Sequence, residues 1–246
     1  MQKRFKDITQ HIYEGIANKD LKIGNDSGTA TTGEYLVDYG WKVTPNKVDL
    51  TELINYANDW DPVSWYKELP KVIDRTSLIK AFAVENFLGH WDSYSGPLKN
   101  NYFLRSNTRG VFTYIPWGVD QTFGENRQTD VLGDTFYLPL LSETSTHPWN
   151  NRASYRGKLY IDCINYKPCR TEYLKQLKAV SLMATKMKLG TQMQAAAKLV
   201  NPVLQVQYKN SPELFTLAKS EQARSIGFIA KRQAQVAALL KKYKIK

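Results

Sequence analysis

Histidine and cysteine are scarce in this chain, three of one and two of the other among 246 residues. A structural zinc site needs four such ligands close in space, and His11, His90 and His147 stand far apart with no paired spacing. Any metal should therefore be a hard cation held by oxygen. Long apolar runs are missing as well. No stretch approaches the ~18 uninterrupted apolar residues of a membrane span, and the start Met1-Gln2-Lys3-Arg4-Phe5-Lys6 lacks the apolar core of a signal peptide. The chain as it stands is expected neither to span a membrane nor to export itself. Acidic residues become rare after position 150. Residues 1–150 hold 15 Lys and Arg against 19 Asp and Glu, net −4, whereas residues 151–246 hold 19 against 4, net +15. A basic region attracts anionic partners through its long-range field. Here the Lys and Arg are spread along helical pattern rather than clustered with aromatics, so solvated helix faces are expected and a nucleic-acid partner is not.

What is present fits a globular protein with one sizeable core: 42% hydrophobic and 23% charged residues, without repeats or low-complexity tracts. Disorder and a bare coiled coil are excluded. The cysteines lie close together in Cys163-Ile164-Asn165-Tyr166-Lys167-Pro168-Cys169. They are either a local disulfide of an oxidising compartment or two buried thiols.

One domain over 1–246 is the simplest organisation, in three parts. Residues 1–48 read as an irregular edge segment. It has short strand-like runs at Glu34-Tyr35-Leu36-Val37 and Trp41-Lys42-Val43, and a turn at Gly24-Asn25-Asp26-Ser27-Gly28. That turn lacks a following Lys-Ser/Thr and a helix, so it is no phosphate-binding P-loop, and nothing places Lys19 or Lys22 over a phosphate. Residues 49–150 turn helical: Leu53, Ile54, Tyr56 and Ala57 suggest one short helix, and Pro62 and Pro70 bracket a second around Trp65. The run from Asp74 to Gly89 is the clearest helix, with Asp74 or Thr76 as its N-cap and Gly89 as a left-handed C-terminal cap. Two aromatic and β-branched runs, Asn101–Leu104 and Val111–Ile115, then flank a turn through Asn107 and Gly110 and predict a β-hairpin. A loop-rich stretch follows to Pro148-Trp149. Residues 151–246 form the basic helical part, with helices expected near 155–162, 170–187, 191–199 and 220–242, punctuated by Pro168, Gly190, Pro202 and Pro212. The fold class is α+β, predominantly helical.

A hairpin returns the chain to its start, so polar residues at its two ends should meet. Asp92 follows the long helix, Asn100 and Asn101 enter the hairpin, and Asp120 stands just beyond its exit. Two carboxylates and a carboxamide converging there would make a hard oxygen site suited to Mg2+ or Mn2+ with phosphate. The order of parts is also that of a protein kinase: His90-Trp91-Asp92 where a catalytic loop stands, then an Asn, a hairpin, and Asp120-Gln121-Thr122-Phe123-Gly124 where a metal-binding Asp precedes Phe-Gly. The spacings differ from an ordinary kinase. On spacing alone, turn-forming Asp and Asn explain these residues better than a catalytic role does.

Three runs, Val84 to Tyr94, Asn100 to Leu104 and Phe112 to Gly124, resemble the spore coat protein H (CotH) kinase family. Tyr13-Glu14-Gly15 resembles a weaker motif of that family, and the resemblance covers roughly residues 5 to 125. Its members are atypical, secreted or spore-surface protein kinases with a diverged kinase fold. The resemblance implies a kinase-like C-terminal lobe whose central hairpin carries the site. It implies ATP with Mg2+ or Mn2+ as cofactors, a partner protein as substrate, and an extracellular or spore-surface location. Position by position, Asp92 would orient or deprotonate the acceptor hydroxyl, and Asn101 and Asp120 would hold metal. Asn100 is the neighbouring candidate. Trp117 would wall the nucleotide pocket, its alternative being a core aromatic of the hairpin. His90 is expected to be structural, bonded to backbone near the catalytic loop. Two departures stand out. Many members carry Pro-Trp-Asp-x-Asp, whereas this chain has Pro116-Trp117-Gly118-Val119-Asp120 and keeps only the second acid. Members also have a preceding small lobe, which is expected to be missing here. A non-catalytic coat or surface protein on the same scaffold is therefore the alternative to a phosphotransferase.

Overall fold

The computed structural model describes residues 4–15, 19–21, 36–39, 46–96, 99–123 and 156–245. The strand-like run Trp41-Lys42-Val43, the turn from Gly24 to Gly28, Lys22, Gly124 and the loop-rich stretch to Trp149 lie outside these residues. The described part is α+β and mostly helical. Its strands are β1 (Thr9–Gly15), β2 (Leu36–Tyr39), β3 (Tyr102–Asn107) and β4 (Phe112–Pro116). Its helices are α1 (Val48–Ala57), α2 (Pro62–Glu68), α3 (Arg75–Leu88), α4 (Lys158–Asn165), α5 (Lys167–Lys186), α6 (Leu189–Gln207) and α7 (Pro212–Lys242). One antiparallel sheet takes the order β2-β1-β3-β4.

The N-terminal segment departs from expectation. Rather than irregular edge structure, it supplies the interior strand β1, paired with β2 on one side and β3 on the other. Its hydrophobic alternation is masked because a polar residue is buried with a partner. His11 Nδ1 lies 2.8 Å from Asp49 Oδ2, and the Tyr13 hydroxyl donates to Asp49 Oδ1 at 2.6 Å. The hairpin forms as predicted, with Leu104 opposite Tyr114. Its turn is set by Asn107, whose side-chain oxygen accepts from the backbone N–H of Arg109 at 2.9 Å and of Val111 at 3.1 Å, with Gly110 at φ +74°.

Helix α3 is the central strut. The Asp74 carboxylate accepts from Ser77 N at 3.0 Å and so caps its start. Its buried face, including Leu78, Ile79, Phe82 and Phe87, packs between β4 and α5. Phe82 meets Tyr94, Tyr114 and Tyr160 at ring distances of 6.0, 5.9 and 5.4 Å. Burying such a ring completely contributes roughly 2–3 kcal/mol.

In the basic part, Pro168 opens α5 as expected; Pro212 opens α7, which starts well before the expected position 220. Pro202 does not end a helix; α6 runs through it, with the proline on an exposed face where a carbonyl left without its helical donor is tolerated. None of α6 is buried, and it lies along α7. Cys163 and Cys169 form a disulfide, with Cα atoms 4.9 Å apart, that ties α4 to the first turn of α5. No helix among the described residues is long and apolar enough to cross a membrane.

Candidate functional site

Gly89 ends α3 in the left-handed region, at φ +67°. Its N–H donates to Asn86 O at 3.1 Å and the His90 N–H to Glu85 O at 2.9 Å, the paired bonds that close a helix on a glycine. This cap aims the following residues, His90-Trp91-Asp92, back over the hairpin entrance. A tight turn holds them there: the Ser93 hydroxyl donates to His90 O at 2.9 Å, and Gly96 N donates to Ser93 O at 3.0 Å. A Cβ on Gly96 would stand 2.4 Å from Trp91 O, so the turn admits only glycine.

Beneath the loop lies Glu85, fully buried on α3. Its carboxylate accepts from the Ser95 and Tyr114 hydroxyls, both at 2.6 Å. Burial pushes its carboxyl above the ordinary value of 4.5, and the bonds from Ser95 and Tyr114 offset part of that rise. Burial first, and then the neighbouring Glu85, push the Tyr114 hydroxyl up as well. Glu85 therefore joins helix, loop and strand β4 through one side chain.

Three of the expected site residues are bonded to one another. Asn100 Nδ2 donates to Asp92 Oδ1 at 3.2 Å, and Asn101 Nδ2 donates to Asp92 Oδ2 and to Asp92 O, both at 2.9 Å. Asn101 reaches back because its backbone is left-handed, at φ +53°. Each carboxylate oxygen of Asp92 thus holds one amide N–H and keeps lone pairs for a further partner.

The turn after the hairpin is docked on this loop. The ring nitrogens of His90 lie 3.3 Å from Trp117 O and 3.3 Å from Gln121 O, so a buried imidazole spans both ends of the turn. This matches the structural role expected of His90. Trp117 N donates to Asn101 O at 3.0 Å. Gly118, at φ +62°, faces the Asn101 amide so closely that a Cβ would stand 2.7 Å from Asn101 Cγ. No side chain has room at position 118 without displacing that amide. The structure does not bond Asp120 to Asp92 or Asn101: its carboxylate is exposed and accepts from Gln121 Nε2 at 3.1 Å. Trp117 is no core aromatic. It is half-exposed, with its ring 5.8 Å from that of Phe103.

Among the described residues no three His, Cys, Asp or Glu side chains cluster as a metal site. Asp92 with Asn100 and Asn101 offers hard oxygen donors of the kind Mg2+ or Mn2+ takes, while the Asp120 carboxylate stands on the turn without a bond to them. One observation fits a guest there: Gln121 Oε1, beside Asp120, is a buried acceptor with no partner among the described residues.

Sequence reasoning missed Glu85, Ser95 and two arginines of α7, and read Gly118 only as a lost acid. Arg232 Nε donates to Phe87 O at 3.0 Å, and Arg224 Nη1 to Phe123 O at 2.9 Å. Glu85 carried a signal, a lone acid on the apolar face of a helix; the arginines carried none, because their partners lie more than a hundred positions away.

The family model for "CotH kinase protein" matches residues 1–236. That span runs past the motifs around the hairpin and takes in α4 to α6 and most of α7. A comparison with curated proteins found no match.

Proposed function

Since the chain belongs to the CotH kinase family, we propose that it transfers a phosphoryl group from ATP to Ser or Thr hydroxyls of a partner protein, with Mg2+ or Mn2+. The observation that carries this reading is the three-point grip of Asn100 and Asn101 on Asp92. A carboxylate held from both oxygens is fixed in direction, which is what a group orienting an acceptor hydroxyl requires. Asp92 would accept the hydroxyl proton as the new P–O bond forms and the bond from that phosphorus to the bridging oxygen of the leaving ADP breaks. Asn101 and Asp120 would hold the cation, with Gln121 beside them, and Trp117 and Asn100 would border the nucleotide. When bound, the cation supplies charge neutralisation on the transferring phosphoryl group. The buried disulfide supports an extracellular or spore-surface setting, where disulfides persist.

The second reading, a non-catalytic coat or surface protein, is favoured by Gly118 standing where relatives carry an acid. Incorporation of radiolabelled phosphate into a generic protein substrate with Mn2+ separates the two. The expected result is transfer by the wild-type chain and loss in both Asp92→Ala and Asp120→Ala. Transfer that survives both changes overturns the reading. A melting temperature unmoved by ATP and Mn2+ favours the scaffold, because a ligand of the native state must stabilise it.

A further inference from the structure

The end of α3 carries more than the Asp92 loop. Of its last four carbonyls, Glu85 O and Asn86 O are taken by the glycine cap. Leu88 O accepts from Phe123 N at 2.8 Å, so the turn bearing Asp120 hangs from the same helix end. Phe87 O accepts Arg232 Nε at 3.0 Å, and Asn86 O also accepts Arg232 Nη2 at 3.2 Å. A cation is well placed there, at the negative end of the helix dipole.

Helix α7 holds both parts with one stripe. Arg224, Phe228 and Arg232 recur every four positions and so share a face, roughly 12 Å from first to last. Arg232 is completely buried, its guanidinium 4.3 Å from the centre of the Phe228 ring. Phe228 fills the space a Cβ on Gly89 would need, with its Cζ 2.6 Å from that position, and its ring meets that of Phe123 edge-on at 6.4 Å. Arg224 then grips Phe123 O from the other side.

The geometry points to Arg224 and Arg232 as positioning residues: α7 is a strut that fixes the turn carrying Asp120 against the loop carrying Asp92. This rests on the phosphotransferase reading for its consequence, not for its geometry. Asp120 has no bond of its own to Asp92, Asn100 or Asn101, so its place relative to them depends on how the turn is held at its ends. His90 holds it at Trp117 O and Gln121 O, and Leu88 O and Arg224 hold the Phe123 backbone that follows.

Arg232 is too buried to remove without unfolding. Arg224 is exposed enough to change, since its other partner is Glu221 on the surface. The test is calorimetric binding of Mn2+ with ATP to the full chain as wild type, Arg224→Ala and Arg224→Lys. Ligand-free melting is expected to stay within ~2 °C of wild type. Arg224→Ala is expected to raise the dissociation constant about tenfold, the loss of one hydrogen bond from a charged donor, and Arg224→Lys to recover most of it. Wild-type affinity in Arg224→Ala, or no recovery with Lys, overturns the positioning role. If the wild-type chain binds no Mn2+ with ATP, the phosphotransferase reading is what fails. Amide hydrogen exchange at residues 119–123 then decides the strut: rates about tenfold faster in Arg224→Ala support it, and equal rates overturn it.

Discussion

Gly118 and Asn101 are both left-handed, and they meet face to face, the amide of one occupying the space where a side chain of the other would begin. Alanine at 118 would be strained by its backbone and would push the Asn101 amide off Asp92. Gly118→Ala is expected to cost about 1–3 kcal/mol in urea unfolding, the range for a non-glycine residue held in a sparsely populated region. Its effect on phosphate transfer is expected to be larger, about a hundredfold in kcat, because a misplaced orienting carboxylate costs more than the strain itself. Equal activity in the two proteins would show that the Asn101 grip on Asp92 is not used. Glu85 makes a different prediction, set by pH. Its carboxyl is raised above 4.5 by burial, so above that value the folded chain holds a proton that the unfolded chain has released. The stability this contributes is fully present below 4.5 and is lost as pH rises through the raised folded value. Glu85→Gln removes the titration and keeps a polar partner for the Ser95 and Tyr114 hydroxyls. Its urea midpoint is expected to fall less steeply with pH over that window than the wild type's; parallel curves would place the proton elsewhere.

At the level of elements, what was legible in the sequence was whatever local chemistry dictates. Asp74 and Gly89 bracket α3 because a carboxylate cap and a left-handed glycine each act within a few residues. The hairpin was readable from its aromatic runs and from Asn107 and Gly110. Strand β1 was not, since its period is broken by His11, a polar residue buried only because Asp49 arrives from α1. Proline misled once. It opens α5 and α7, where no donor is needed, but passes unnoticed within α6, where the lost bond faces water. The α4–α5 joint shows how an element boundary is kept. Tyr166, extended at φ −92° and ψ 115°, makes the bend before Pro168 in the first turn of α5, and the disulfide from Cys163 to Cys169 closes it with a separation of 6 residues. A loop that short removes modest entropy from the unfolded chain, about 2 kcal/mol. The double variant Cys163→Ser, Cys169→Ser is expected to lose about that much in urea unfolding while α3 and the hairpin keep their amide protection. Loss of protection throughout would mean that the joint holds the core and not only itself.

Over the whole molecule, the site residues were readable as types but not as a geometry. Asp92, Asn100 and Asn101 lie within ten positions of one another, and the structure binds them together. Asp120 is placed by long-range contacts: His90 to the turn, Phe123 to the end of α3, Arg224 from α7. None has a sequence period to betray it. Charge behaves in the opposite way, since it is plain in the sequence and acts at long range without a fixed contact. Residues 151–246 carry net +15 and residues 1–150 net −4, so one chain presents a field of two signs. The stripe that braces the candidate site belongs to the positive part, which places the site beside a field that draws acidic partners. If the chain phosphorylates proteins, encounter with an acidic substrate should be steered and therefore screened by salt, whereas the chemical step should not. Between 50 and 300 mM NaCl, kcat/KM toward an acidic protein is expected to fall about tenfold with kcat nearly constant. A neutral peptide carrying the same acceptor serine should change by less than about twofold, since it has little charge to steer. Equal salt dependence for the two substrates would assign the basic helices to solvation alone, and a falling kcat would place the salt effect in the site rather than in the approach to it.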